Sequence, residues 1–204
     1  MARNIDVKKR GNRQRKRKSV YLVIAEGRNK TETIYLQNFQ EQGKAFCIHF
    51  VKAGSNTDAE SLYKTLASKW KELGLSEADG DKGFVVVDID NDELNANSIR
   101  KLIKANSIAG IGFIVSNPTF ELWYLLHYKY TTKFYADGNA LIKDLRKFIP
   151  VYEKNMDCFM LTQQYVGEAI KNADKLAKNY GDERWPAKEC NPRTDVGNLV
   201  ELLL

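Results

Sequence analysis

Cysteine is scarce in this 204-residue chain. Cys47, Cys158 and Cys190 are odd in number, far apart and in no CxxC pair, so neither a disulfide framework nor a thiolate zinc site has its usual spacing. Three ordinary thiols in a reducing compartment are expected instead. Long apolar runs are missing too: none approaches the roughly 18 residues of a membrane span. The stretch "VYLVIA" after the basic N-terminus is too short for a signal-peptide core, and no small-residue cleavage site follows it. A cytoplasmic chain without a membrane partner is the expectation. No GxxxxGK(S/T) segment occurs either, so any use of ATP would fall to a partner protein.

What is present is an ordinary globular composition, 43% hydrophobic and 28% charged, enough for one domain with a real core. The formal charge of +6 is unevenly placed. The first 18 residues hold Arg3, Lys8, Lys9, Arg10, Arg13, Arg15, Lys16, Arg17 and Lys18 against Asp6 alone, a net of +8 that leaves −2 for the rest. Residues 1–18 therefore read as a basic tail, disordered when free. Arg13, Arg15, Lys16, Arg17 and Lys18 suit phosphate backbones, because neutralising phosphates releases counterions. The same run also suits a plain solubilising tail.

Beyond the tail, strand and helix signals alternate. Ser19–Ala25, Ala45–Ala53, Phe84–Asp90 and Gly110–Ser116 read as buried strands. Helical stretches separate them: one after Gly27 with Ile34, Tyr35 and Phe39 inward, one over Asp58–Leu73, and one around Asn97–Ala105. Such alternation predicts an α/β fold with a mostly parallel sheet flanked by helices. The last third changes character. Asn139–Phe148, Asp157–Asn179 and Asp195–Leu204 look helical, with no convincing strand between them. The division expected is a core over 19–135 and a helical C-terminal extension over 136–204 packed on it.

The segment "FVVVDIDND" sends a buried strand into Asp88, Asp90 and Asp92. If the strand continued, Asp88 and Asp90 would share a face, and carboxylates that close repel unless something positive lies between them. In open parallel sheets, sites form beyond the carboxyl ends of strands, where strand order reverses. Glu26 after the first strand and Asp88 and Asp90 after the third would meet on that rim. Oxygen ligands with open positions suit Mg²⁺ or Mn²⁺ and a phosphate substrate. A calcium loop does not fit, because Glu93 stands at its central glycine and Ile99 at its terminal acid. Strand-end aspartates that merely cap the next helix or turn remain the competing reading.

The residues also carry a resemblance. "VIAEGRNKTETIYL" followed by "VVVDIDND" resembles the Toprim pattern, a strand ending in Glu-Gly and a later one ending in Asp-x-Asp. "SNPTFELWYLLHY" and "NPRTDVGNLVELL" resemble the RloB-like family, which is similar to AbiLii and belongs among bacterial anti-phage genes; the likeness spans about residues 19–204. It implies a Toprim-like fold and a metal-dependent centre that cleaves or joins phosphodiesters, with Glu26, Asp88 and Asp90 as its acids. It further implies a nuclease effector, RNA such as tRNA favoured over DNA, and an ABC/SMC-like ATPase encoded nearby. A non-catalytic module that senses nucleic acid or phage protein and regulates that ATPase is the alternative. The oligomeric state, a homo-oligomer included, stays open.

Further candidates cluster around this rim. Arg28 and Lys30, early in the helix after Glu26, are placed to contact phosphate. Pro118 is expected to open a helix whose first turn presents Glu121 to the site, although an acid there also suits the helix dipole. Asn117 ends the fourth strand at the same rim, and Asp92 has no firm counterpart in the Toprim pattern. His127, among Trp123, Leu125 and Leu126, reads more readily as a buried hydrogen-bonded histidine than as a catalytic one.

Overall fold

The computed structural model describes residues 17–26, 30–40, 44–54 and 58–204. Their α/β architecture is built on four parallel strands: β1 (Ser19–Ala25), β2 (Phe46–Phe50), β3 (Lys82–Asp88) and β4 (Ile111–Asn117). The four apolar runs form the strands they predict. β2 stops at Phe50, three residues short of the expected Ala53, and β3 ends at Asp88, after which the chain turns through Asp90 and Asn91, both at φ +55°. Short polar residues tolerate that left-handed region better than others.

Among the described residues, seven of the eight α-helices flank this sheet in two groups. On one face lie α2 (Ala59–Glu72) and α3 (Glu93–Ala105). Leu62, Leu66 and Trp70 of α2 and Ala96 and Ile99 of α3 pack on Leu22, Ile24, Val85, Val87 and Val115 of the strands. On the other face lie α1 (Thr31–Leu36), α4 (Glu121–Leu126), α5 (Gly138–Leu145), α7 (Val166–Tyr180) and α8 (Val196–Leu203), against Val23, Ala25, Phe84, Val86 and Ile114. The strands thus bury alternate residues on opposite faces, which is why they read as near-continuous apolar runs. The remaining short helix, α6 (Phe159–Thr162), leads through a 3-10 turn into α7.

Strand order is β2-β1-β3-β4-β5, where β5 is the two-residue strand Arg193–Thr194 paired antiparallel to Ser116 and Asn117. The all-helical reading of the last third needs this correction. Two residues are too short to show a period of two, so β5 leaves no strand signal in the sequence. The C-terminal third also builds much of the larger core, with Trp123 at its centre against Gly197 of α8. The chain runs from β1 outward to β2, then crosses back to β3. Strand order therefore reverses between β1 and β3, and the crevice at their carboxyl ends is the expected place for a site.

Candidate functional site

That crevice collects carboxylates. Glu26 follows β1 directly, and Asp88 closes β3 with its carboxylate accepting the Phe120 backbone N–H at 3.2 Å. Asp90 is brought back to the rim by its left-handed turn, held as its N–H donates to the Pro118 carbonyl at 3.0 Å. These three line one cleft of about 300 Å³ with Asp58, Asn95 and Ser98. The rim expected to join Glu26, Asp88 and Asp90 does so in the structure.

Two further acids approach from the opposite face. Glu121 is buried in the first turn of α4 and accepts a 3.0 Å hydrogen bond from the Tyr152 hydroxyl. Glu32, in the first turn of α1, is only 6% exposed, and its Oε2 has no hydrogen-bond partner among the described residues. An unpartnered buried carboxylate oxygen is costly unless the group is protonated or something positive joins it.

The electrostatics follow from this crowding. Burial, then the charges of Glu32, Glu121, Glu26 and Asp90, push the Asp88 carboxyl well above its ordinary value. Burial and Asp90 raise Glu26 to about 7, against the opposing pull of the Asp88 backbone N–H and Lys154. Burial drives Glu32 to about 8, with Glu121 and Glu26 adding to it. Asp90, the most exposed of the group, is raised as well, by what burial it has. Among the described residues no three His, Cys, Asp or Glu side chains stand in ready ligand geometry. The five acids share a repulsive field rather than a finished coordination shell, so a cation would have to draw them together.

The family model described as RloB-like protein matches residues 21–203. The chain belongs to the RloB-like family. No curated protein and no solved structure matches it. The mostly parallel sheet with its helical flanks is consistent with the Toprim-like fold that the resemblance implies. Among the described residues no helix is long and apolar enough to cross a membrane.

The remaining candidates of this RloB-like chain separate by position. Asp92 is the N-cap of α3, its carboxylate accepting the Asn95 N–H at 2.9 Å. Asn117 is fully buried and its amide donates to the carbonyls of Ala187, Lys188 and Cys190, so it braces the C-terminal segment against β4. His127 is buried, with Nδ1 at 2.8 Å from the Trp123 carbonyl and Nε2 at 3.3 Å from the Tyr35 hydroxyl. Burial lowers its pKa to about 4, which makes it a neutral core residue. Pro118 does not itself open a helix; α4 begins three residues later, at Glu121.

The basic candidates fall in two places. Lys30 lines a pocket of about 350 Å³ with Glu26, Thr33 and Lys52. Arg17 sits at the other end of the sheet, where its guanidinium meets Asp81 at 2.8 Å, seven residues and about 20 Å of strand before Asp88. Lys18 is exposed beside it. Arg28, Arg13, Arg15 and Lys16 lie outside the described residues. Glu32 is the residue that sequence reasoning missed. Its signal was there, an acid six positions after Glu26 at the start of the next helix, but only the structure shows that the first turn of α1 brings it near Asp88.

Proposed function

We propose that this chain is a metal-dependent phosphodiesterase acting on nucleic acid, RNA such as tRNA ahead of DNA, as an anti-phage effector. One observation carries the reading: five carboxylates converge at the switch point of a parallel sheet with too few donors among the described residues to satisfy them. A structural cluster would pair its acids with Lys, Arg or backbone N–H groups, whereas Glu32 keeps an unpartnered buried oxygen and Asp88 faces four other acids. The donor set, all carboxylate oxygen, fits Mg²⁺ or Mn²⁺. Asp88, Asp90 and Glu26 would hold the ion, with Glu32 and Glu121 behind them. Bound there, it supplies neutralisation of the charge developing on phosphate and makes water a better nucleophile at neutral pH.

The chain's own residues set the rest. The Phe120 N–H fixes the Asp88 carboxylate, and the Tyr152 hydroxyl fixes Glu121, so two of the acids are oriented from behind. Glu26 stands at the mouth of both adjoining pockets, where it can ligate the ion or take a proton from attacking water. Lys30 and Lys52 border the same opening and oppose the repulsion between an acidic rim and a phosphate.

The unassembled ligand geometry favours a second reading, in which the Toprim-like body recognises nucleic acid or phage protein and controls a partner ATPase without cutting anything. One experiment separates the two. Purified chain is incubated with tRNA, mRNA and DNA in Mg²⁺, Mn²⁺ or EDTA, alone and with the neighbouring gene product. Metal-dependent cleavage that disappears in Glu26→Gln supports the phosphodiesterase. Tight metal-independent binding without turnover under every condition supports the regulatory module.

A further inference from the structure

A groove of about 410 Å³ opens between α5 and the loop 150–157, lined by Asn139, Ile142, Lys143, Arg146 and Lys154. Its three cations differ from their neighbours. Lys133 and Lys147 both pair with Asp144, each at 2.7 Å. Lys143, Arg146 and Lys154 have no carboxylate partner among the described residues, although they belong to a body whose charge is slightly negative. Lys143 and Arg146 are three apart on consecutive turns and so share one helix face.

The groove is wired to the carboxylate basin. Arg146 donates its Nε–H to the Tyr152 carbonyl at 2.9 Å, which pins the guanidinium by one nitrogen and leaves its terminal N–H groups facing outward. The Tyr152 hydroxyl continues the link to Glu121. On the far side of Lys154, the Asn155 N–H donates to the Thr31 hydroxyl at 3.1 Å, and the Asn155 side-chain oxygen accepts the Lys30 N–H at 2.6 Å. Lys154 is thereby fastened between Tyr152 and Asn155, beside Glu32. Its charge reaches the basin, where it opposes the rise of Glu26, Glu32 and Asp90.

We propose that this groove is a phosphate-backbone track that holds a nucleic-acid strand by Lys143, Arg146 and Lys154 and delivers it to the carboxylate basin. An acidic basin alone repels a polyanion, so a strand needs unpaired cations next to the acids to approach them. A single free phosphate would occupy one such contact, whereas three around an open groove fit a continuous backbone. What happens to the strand rests on the phosphodiesterase reading; its binding does not.

The test is fluorescence anisotropy with labelled single-stranded RNA and DNA of one sequence, the full chain and EDTA throughout. Lys143→Glu with Lys154→Glu is compared with Lys101→Glu with Lys104→Glu, the same charge change on exposed lysines of α3. Two lost contacts at a log–log salt slope of roughly 0.7 each predict about 25-fold weaker binding near 0.1 M salt and a slope smaller by about 1.4. The α3 variant should stay near wild type. Equal losses in both variants, or no loss in the groove variant, overturn the proposal. A loss on RNA alone or DNA alone supports it and names the strand. Melting curves confirm folding, and Lys143→Gln with Lys154→Gln replaces the glutamates if they fail it. If the groove variant loses binding but the wild type never cuts in the separate cleavage assay with Mg²⁺ or Mn²⁺, the phosphodiesterase reading falls and the track stands. If the groove variant binds in EDTA and cuts in metal like wild type, the track falls alone.

Discussion

Stability of this protein should fall as pH rises above neutrality, because of Asp88, whose carboxyl is raised well above its ordinary value, and because of Glu32. The Glu32 carboxyl, 6% exposed with one oxygen unpartnered, is raised by burial from 4.5 to about 8. The folded chain then binds more protons than the unfolded chain between those values, so stability is lost as pH climbs through that window. His127 acts in the opposite sense. Its folded pKa of about 4 lies below the ordinary 6.5, so the stability it contributes is lost as pH falls through that interval. Measuring above pH 6.5 isolates the acids. From there to about pH 8, at about 1.36 kcal/mol per unit, Glu32 alone removes about 2 kcal/mol. For a chain of this size that is roughly 4–8 °C in Tm. Thermal and urea unfolding in EDTA, at fixed ionic strength, give the slope directly. Glu32→Gln keeps the shape, removes that one titration and should make the profile shallower by about 2 kcal/mol over the same interval, leaving the variant more stable than wild type at pH 8. Excess Mg²⁺ should also flatten it, because a cation stabilises the ionised acids. A wild-type profile that is level or rising above pH 6.5, or a variant with the wild-type slope, refutes this account of the basin.

Three further outcomes are expected. Asp88→Asn with Asp90→Asn should abolish cleavage and the stabilisation by Mg²⁺ or Mn²⁺, about 1.4 kcal/mol at ten times Kd, while leaving the metal-free protein as stable or more so; metal-insensitive melts with an earlier-melting double variant would mark both acids as caps. Asp92→Ala should cost about 1 kcal/mol in urea unfolding, the worth of an N-cap, with cleavage per folded molecule unchanged. Asn117→Ala removes a donor from three carbonyls and should cost roughly 3 kcal/mol by the same assay, since buried acceptors would be left unsatisfied.

The layered fold was readable because its strands are buried on both faces, and runs such as Phe84–Val87 admit few other readings. The start of α3 was harder to place. Leu94 is 79% exposed and offers no inward period, so periodicity begins only at Ala96 and Ile99, three residues and more inside the helix. Asp92 was legible as an acid but not as a cap, since a strand assumed to run through Asp90 hides the turn that frees it. Glu26, Asp88 and Asp90 could be joined because strand ends of one parallel sheet share a rim. Glu32 and the groove cations could not. Their places depend on the first turn of α1 coming near Asp88 and on a loop more than 120 residues later that hydrogen-bonds to the start of α1.

The two ends of β3 show why the basin reads as a site rather than as a structural cluster. Asp81, just before the strand, is fully buried, yet its carboxyl is held below its ordinary value. Burial there is outweighed because its oxygens accept from Arg17, the Val20 N–H and the Ser76 N–H. Asp88, at the other end of the same strand, accepts the Phe120 N–H, and the charges around it are acidic. The chain can therefore satisfy a buried aspartate where the purpose is to hold loops together. At the carboxyl end it surrounds one with Glu26, Glu32, Asp90 and Glu121 instead, and among the described residues the charge that opposes their rise, Lys154, comes from the wall of the groove. Such an arrangement costs stability at neutral pH. Protons relieve it, and the cation proposed above would relieve it too while drawing phosphate to the same place.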